Sequence, residues 1–378
     1  MKAVVTADNH LNRYYQKMRP EQLEKRREIL RENFSKAVDY AIEEDADLFL
    51  HCGDLFDMST PRNQEVAFVA RKMAELQSNG IEAFLVVGNH DMSLSSEASD
   101  SSPHSVFESF DGPNIFLSSD ELESREIEVD SETVQISGLS YNPLNGGEDP
   151  LEGLEFSNNA DWNILLTHYG IEGTMVADSD EASVGRDTIK SMDLDLICSG
   201  HIHKKSEMEL DGTKTIVPGG TETLDFNESD YSTGFYMVKT EDEISTEYIE
   251  IDSQPMESIE VNIDNLENPQ ESIMESLEEA SNDNKMLQLK VKGNITRAEY
   301  LNLDLHEVWE LGRQKNFFFD LKDDIQLEIE SGIETDGERL SQKEELQNVA
   351  DKVAEDNEDD AEIIQKASNR IITDYREK

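Results

Sequence analysis

Short apolar runs and helical stripes alternate along the first two hundred residues. Residues 3–7 (AVVTA) predict a buried strand. From Pro20 to Glu44 the apolar positions Leu23, Leu30, Phe34, Ala37, Val38 and Ala41 recur at helical spacing, which predicts a long amphipathic helix. A second apolar run, 46–50, ends at HCGD; residues 63–78 read as another helix, closed by Gly80; and the run Ala83–Val87 ends at GNHD. Strands are also expected over 114–117, 133–139, 163–167 and 194–198, with the serine-rich 92–105 a loop. Short apolar runs separated by helices and polar loops are an α/β pattern.

After residue 205 the texture changes. Alternating runs at 213–217 and 233–238 predict antiparallel strands. Residues 241–280 carry no basic side chain, and the Pro- and Asn-punctuated 255–270 within them reads as a linker or domain edge. A strand (LQLKVKG), a helix over 296–312 and further strands to about 332 predict a small α+β unit. From 341 a thin stripe (Leu346, Val349, Val353, Ile363, Ile364) forms helix only weakly unless something packs on it.

Composition bounds the setting. Eighty-four acidic residues against 33 basic give the 378-residue chain a formal net charge of −51. Such self-repulsion loosens a compact fold in dilute buffer. It is screened at high salt, where the Debye length falls to about 3 Å. A halophilic organism with a salt-rich cytoplasm is the expectation, and an acidic chain that avoids nucleic acid is the other reading. Cys52 and Cys198, each inside an apolar run, make no disulfide framework and fit a reduced, cytoplasmic setting. The N-terminus turns polar too early for a secretory signal, and no stretch approaches the roughly 20 apolar residues of a membrane span.

The chemistry sits where apolar runs stop. Asp8 and His10, Asp54, Asn89 and His90, His168, and His201 with His203 follow five strand-like runs, and these exits hold five of the eight histidines. In an α/β sheet such ends share an edge where ligands bind. Taken singly, a D-x-H or a turn glycine such as Gly53 or Gly88 means little. Jointly, mixed imidazole, amide and carboxylate donors suit a pair of divalent metals, with Asp54 as the bridging carboxylate. Such a donor set fits Mn²⁺, Fe²⁺ or Zn²⁺ better than Mg²⁺. No Walker loop, dinucleotide fingerprint or serine elbow competes.

D-x-H (8–10), G-D (53–54), G-N-H-D (88–91), His168 and G-H-x-H (200–203), in this order, resemble the signature of calcineurin-like metallophosphoesterases over about 1–205. More narrowly, ADNHL, HCGDLFD, HYGIEG and GHIHK followed by VPGGTETLDFNE resemble double-strand-break repair nucleases of the SbcD type, through about residue 250. The resemblance implies a metallophosphoesterase β-sandwich flanked by helices in four layers (α/β/β/α) over 1–250. It also implies a smaller α+β capping domain over 255–335, and a helical tail, 341–378, that docks on an SbcC-type coiled-coil ABC ATPase. The implied enzyme is a homodimeric DNA exonuclease or endonuclease with two divalent ions, Mn²⁺ foremost, and a metal-bound water as nucleophile. One metal would be held by Asp8, His10, Asp54 and His203, the other by Asp54, Asn89, His168 and His201. His90 would reach the scissile phosphate, and Asp91 would orient His90.

The chain departs from the family pattern in places. LNRYY lacks the glycine often found after the His-Leu pair, PGGTE stands where P-G-S is common, and position 57 is Asp where some relatives carry a second phosphate-directed histidine. Asp57 must pair with a base or bind metal. The basic zone 13–36 carries eight basic residues and four glutamates. Its Arg13, Tyr14, Tyr15, Lys17 and Arg19 are candidate DNA contacts, against a plain solvated helix face. Two alternatives stay open: a phosphodiesterase or phosphatase for a small phosphoester, and an acidic repair-complex scaffold with a vestigial metal site. GDLFDMS is not the protein-phosphatase continuation, and no ligand position has lost its coordinating side chain.

Overall fold

The computed structural model describes residues 1–93, 102–109, 112–157, 159–174 and 181–328. The expected tail helix, 341–378, lies outside the described residues.

Two six-stranded sheets form the frame. The first runs β14 (Ile244–Glu250), β13 (Gly234–Thr240), β1 (Lys2–Thr6), β2 (Leu48–Cys52), β3 (Glu82–Val86) and β4 (Asn114–Phe116). Its strands β1 to β4 are parallel, and β13 returns antiparallel to β1. The second runs β11 (Ser206–Leu210), β12 (Thr213–Val217), β10 (Leu196–Ser199), β7 (Trp162–Thr167), β6 (Glu132–Leu139) and β5 (Glu123–Val129). Here β12, β10, β7 and β6 are parallel, with β11 and β5 antiparallel at the edges. A two-stranded pair, β8 (Gly170–Ile171) and β9 (Ser183–Val184), follows β7.

Alternation of side chains along each strand decides what packs where. Val5, Leu50, Phe84 and Val86 of the first sheet meet Ile136, Ile164, Leu166, Leu196 and Cys198 of the second in one core. The opposite face of the first sheet, with Val4, Phe49 and Leu85, packs on α1 (Pro20–Glu43) and α2 (Asn63–Ser78) through Leu30, Phe34, Val38, Val69, Met73 and Leu76. Leu139, Leu165 and Ile197 of the second sheet pack on Ile189 and Met192 of α3 (Arg186–Met192). Each fully buried Leu or Phe contributes about 2–3 kcal/mol. Helix α1 begins where the sequence places it, with Pro20 at its first turn and Gln22 folded back onto the Arg19 amide (3.1 Å).

Several expectations change. Residues 255–270 are not a bare linker, because β15 (Met256–Asn262) lies within them, parallel to β16 (Met286–Ile295). With β17 (Phe318–Leu327) these make a three-stranded sheet. It has a core of its own: Ile263, Leu289, Val291 and Phe319 against Ile273 and Leu277 of α4 (Pro269–Ala280). The single helix expected over 296–312 divides into α5 (Arg297–Leu301) and α6 (Leu305–Lys315). Asp304 caps the second, accepting from the Glu307 amide at 2.9 Å, so the chain restarts there. Strand β12 is antiparallel to β11 but parallel to β10. The three-stranded unit meets the sandwich through Met18, Leu23, Met256, Met286 and Phe318, a Lys17–Asp320 ion pair (2.5 Å) and a bond from Gln22 to the Phe317 carbonyl.

Candidate metal centre

Every candidate ligand follows the C-terminal end of a parallel strand. Asp8 and His10 follow β1, Asp54 follows β2, Asn89 and His90 follow β3, His168 follows β7, and His201 and His203 follow β10. The first three strands belong to one sheet and the last two to the other. The exits therefore do not share one sheet edge as the sequence suggested. They meet across the seam between two sheets, and apolar runs alone do not say which sheet a strand joins.

Past their strands, the first two loops continue as partners. Asp8 N donates to Gly53 O (3.1 Å), His10 N to Asp54 O (3.0 Å), Leu11 N to Leu55 O (2.9 Å) and Asp57 N to Leu11 O (3.0 Å). The backbone there is strained. Asp8, His10, Asp54 and His201 have φ of 50°, 47°, 53° and 78°, a region that non-glycine residues enter at a cost of about 1–3 kcal/mol. Gly53 and Gly88 are more than turn glycines. A Cβ on Gly53 would stand 2.3 Å from His168 Nδ1, and one on Gly88 would stand 2.2 Å from Asp54 Oδ1.

The rings are aimed. Nε2 of His10 and Nε2 of His203 face each other at 3.1 Å, and His10 Nε2 is 3.5 Å from Asp54 Oδ2. The same Asp54 oxygen lies 3.3 Å from His168 Nε2. Asn89 Oδ1 lies 3.0 Å from His168 Nε2 and 3.2 Å from His201 Nδ1. Three of these imidazoles are fixed by their other nitrogen. His10 Nδ1 meets Asp57 Oδ1 (3.1 Å), His168 Nδ1 meets the Cys52 carbonyl (2.7 Å), and His203 Nδ1 meets Glu228 Oε1 (2.7 Å). Carboxylates and carbonyls only accept, so each of these Nδ1 atoms carries a proton and Nε2 is the nitrogen turned toward the centre. At 3.1 Å the Nε2 atoms of His10 and His203 must share a proton or a cation. Asp8 adds a buried Oδ2 with no hydrogen-bond partner, while its Oδ1 accepts from the His201 amide at 3.1 Å. Donors of this kind fit one or two divalent ions of intermediate softness.

His90 is exposed at the rim, its ring edge-on to His10 at 4.7 Å and its amide donating to Asp54 Oδ1 at 2.8 Å. Asp91, expected to orient that ring, instead accepts from the amides of Phe56 (2.7 Å), Gly88 (3.0 Å) and Leu55 (3.3 Å). It therefore holds backbone of the loops after β2 and β3. The carboxylate grouped with the rings of His10 and His90 is Asp57, which also takes Arg13 Nη1 at 2.9 Å. Asp57 thus pairs with bases, one of the two outcomes the sequence left open.

Charge and burial set the proton affinities. Burial, then the nearby Asp54, pushes Asp91 up to about 8. Burial opposes ionisation of Asp54, but His168 and His10 outweigh it and hold Asp54 below the usual carboxylate range. Burial likewise opposes charging His168, yet Asp54 draws it up to about 9. Burial alone carries His104 down to about 3.

Sequence reasoning missed three groups here. Glu228 reads only as a capping residue of the short 3-10 turn Phe226–Glu228. His104 Nε2 lies 4.0 Å from Asp91, and Tyr141 stacks on His201 at 5.9 Å; neither falls in a motif. Of the candidate DNA contacts, Tyr14 is exposed, while Arg13 is paired with Asp57, Lys17 with Asp320 and Arg19 with Gln22. Tyr15 lies between the guanidinium groups of Arg13 and Arg26, each 5.6 Å from its ring.

The chain is 25% identical to the DNA double-strand break repair protein Mre11 of Sulfolobus acidocaldarius, covering 78% of this chain and 76% of that one. It is 24% identical to the protein of the same description from Sulfurisphaera tokodaii, covering 96% and 92%. It is 26% identical to that of Methanopyrus kandleri, covering 60% of this chain and half of the relative. Residues 1–205, from β1 through the last histidine pair, match the calcineurin-like phosphoesterase family. More than half the chain, with every candidate ligand, lies inside that match, and the protein belongs to the calcineurin-like phosphoesterase family.

Proposed function

We propose that this metal-dependent phosphoesterase is a manganese-dependent nuclease that hydrolyses phosphodiester bonds at DNA ends during double-strand-break repair. The observation that carries the reading is the inward-facing Nε2 pair of His10 and His203, linked by Asp54 to His168 and Asn89. Asp8, His10, Asp54 and His203 would hold one ion, and Asp54, Asn89, His168 and His201 the other. Bound ions supply Lewis acidity toward the phosphoryl oxygens and lower the pKa of a water for in-line attack.

The remaining work falls to the chain. His90, exposed beside His10, offers an imidazole to the scissile phosphate and to the departing oxygen. Asp91 ties the loop after β2 to the loop after β3, keeping the His90 backbone on Asp54. The unit over 255–335 serves as a cap. Pairing into a homodimer and docking on a coiled-coil ABC ATPase through 341–378 complete the reading. The relatives described as DNA repair proteins support the choice of DNA.

The test is cleavage of end-labelled linear duplex and hairpin DNA in about 2 M KCl with Mn²⁺, beside His90→Ala and Asp54→Ala. Stepwise cleavage lost in both variants is expected. The pairing of the half-buried Arg13 with Asp57 favours a second reading, a phosphodiesterase for a small phosphoester. Silence on DNA with His90-dependent turnover of bis-p-nitrophenyl phosphate would favour it. No bound metal and no turnover in a folded protein would overturn both.

A further inference from the structure

Two carboxylates outside the candidate ligand set do the same job on neighbouring rings. Asp57 holds Nδ1 of His10, and Glu228 holds Nδ1 of His203. With Asp8 and Asp54 near the same rings, the region gathers four acidic groups around two imidazoles. Unbalanced, Asp57 would swing in as a further ligand or repel an incoming phosphate. The balancing cation is Arg13. Its Nη1 sits on the same Asp57 oxygen that fixes His10, at 2.9 Å, and its charge also reaches Glu228.

Arg13 is itself anchored. Its amide closes a turn on the His10 carbonyl (3.1 Å), its carbonyl accepts from Arg27 Nε (3.3 Å), and its guanidinium lies over the Tyr15 ring. The Arg13 and Asp57 side chains are 24% and 13% exposed, so solvent and salt screen this pair less than a surface pair. The other rings are held differently. His168 leans on the backbone carbonyl of Cys52, and His201 on the half-exposed Glu181 and on Tyr141.

We propose that Arg13 is a positioning residue for one metal position only, holding His10 in its ligating orientation through Asp57. This rests on the two-metal reading above, and it reassigns Arg13 from a DNA contact to the metal centre.

The test is Mn²⁺ titration of the full chain, followed by electron paramagnetic resonance of free Mn²⁺, for wild type, Arg13→Gln and Arg13→Lys. Thermal unfolding of each metal-free protein accompanies it. Wild type should bind two ions. Arg13→Gln should lose about 10–100-fold in affinity at one of them and keep the other within about two-fold. Arg13→Lys should fall between. A fall in the metal-free midpoint with both sites unweakened would mark a merely structural role. Two unweakened sites in Arg13→Gln, or equal weakening of both, overturn the proposal while sparing the two-metal reading. Fewer than two ions on wild type overturns both. Where Arg13→Gln does not fold, Arg13→Lys decides by the same asymmetry.

Discussion

Arg26 and Glu222 form an ion pair at 2.8 Å with both side chains wholly removed from solvent, joining α1 to the segment that leads into β13. Asn33 and the Gln254 amide complete Glu222, and Arg26 also reaches the Thr223 carbonyl. Removing one partner strands a buried charge, whereas replacing both with apolar groups of similar volume is often neutral. Arg26→Met alone is expected to lower unfolding stability by about 3–5 kcal/mol. The double variant Arg26→Met/Glu222→Met should recover most of that loss in urea titration. No recovery would mean that the pair's geometry, rather than its charge balance, holds this corner.

Asn12 occupies φ 73°, a conformation that suits glycine. Asn tolerates this region better than most residues. Here its side chain is also used, accepting from Arg62 Nε at 2.9 Å. Asn12→Ala should lose about 1–2 kcal/mol from strain plus the missing bond, and Asn12→Gly distinctly less. Equal losses on thermal melting would assign the cost to the bond with Arg62.

His104 gives the fold an acid sensitivity. An unfolded imidazole protonates near 6.5, while burial holds His104 to about 3. Between those values the unfolded chain binds more protons, so stability falls as pH is lowered. From about pH 7 to about pH 5 this one group costs about 2 kcal/mol. Asp91, pushed up to about 8, works the other way: its contribution is present at low pH and is lost as pH rises toward 8. In urea melts, the stability change from about pH 7 to 5 should be more favourable in the metal-free His104→Gln variant than in wild type by about 2 kcal/mol.

Metal should stabilise the folded chain by mass action. At a concentration about 100 times its dissociation constant, one ion adds about 2.7 kcal/mol. Mn²⁺ should therefore raise the melting temperature of wild type and chelator should reverse the rise, with little response in Asp54→Ala. A full response in that variant would remove Asp54 from the ligand set.

The strand exits were legible because the end of an apolar run is a local fact. Their division between two sheets was not, since nothing in AVVTA or LLT says which sheet the run joins. Strand β5, ESREIEV, escaped notice because charges occupy both of its faces at a sheet edge. Strand β15 was hidden by the surrounding acidity, although its Met256 and Val261 are buried. Asp57 stands out in the sequence as a departure, and only the fold brings Arg13 to it. Glu228 lies 25 residues from the histidine it holds, and within its own segment it looks like any helix cap.

Each candidate ligand set takes residues from both sheets: Asp8, His10 and Asp54 with His203, and Asp54 and Asn89 with His168 and His201. A cation held by either set is a rivet through the sandwich. Core side chains such as Val86 and Leu166, packed between the sheets, then set the spacing of the rivet holes. Substitutions deep between the sheets become, in effect, adjustments to metal affinity.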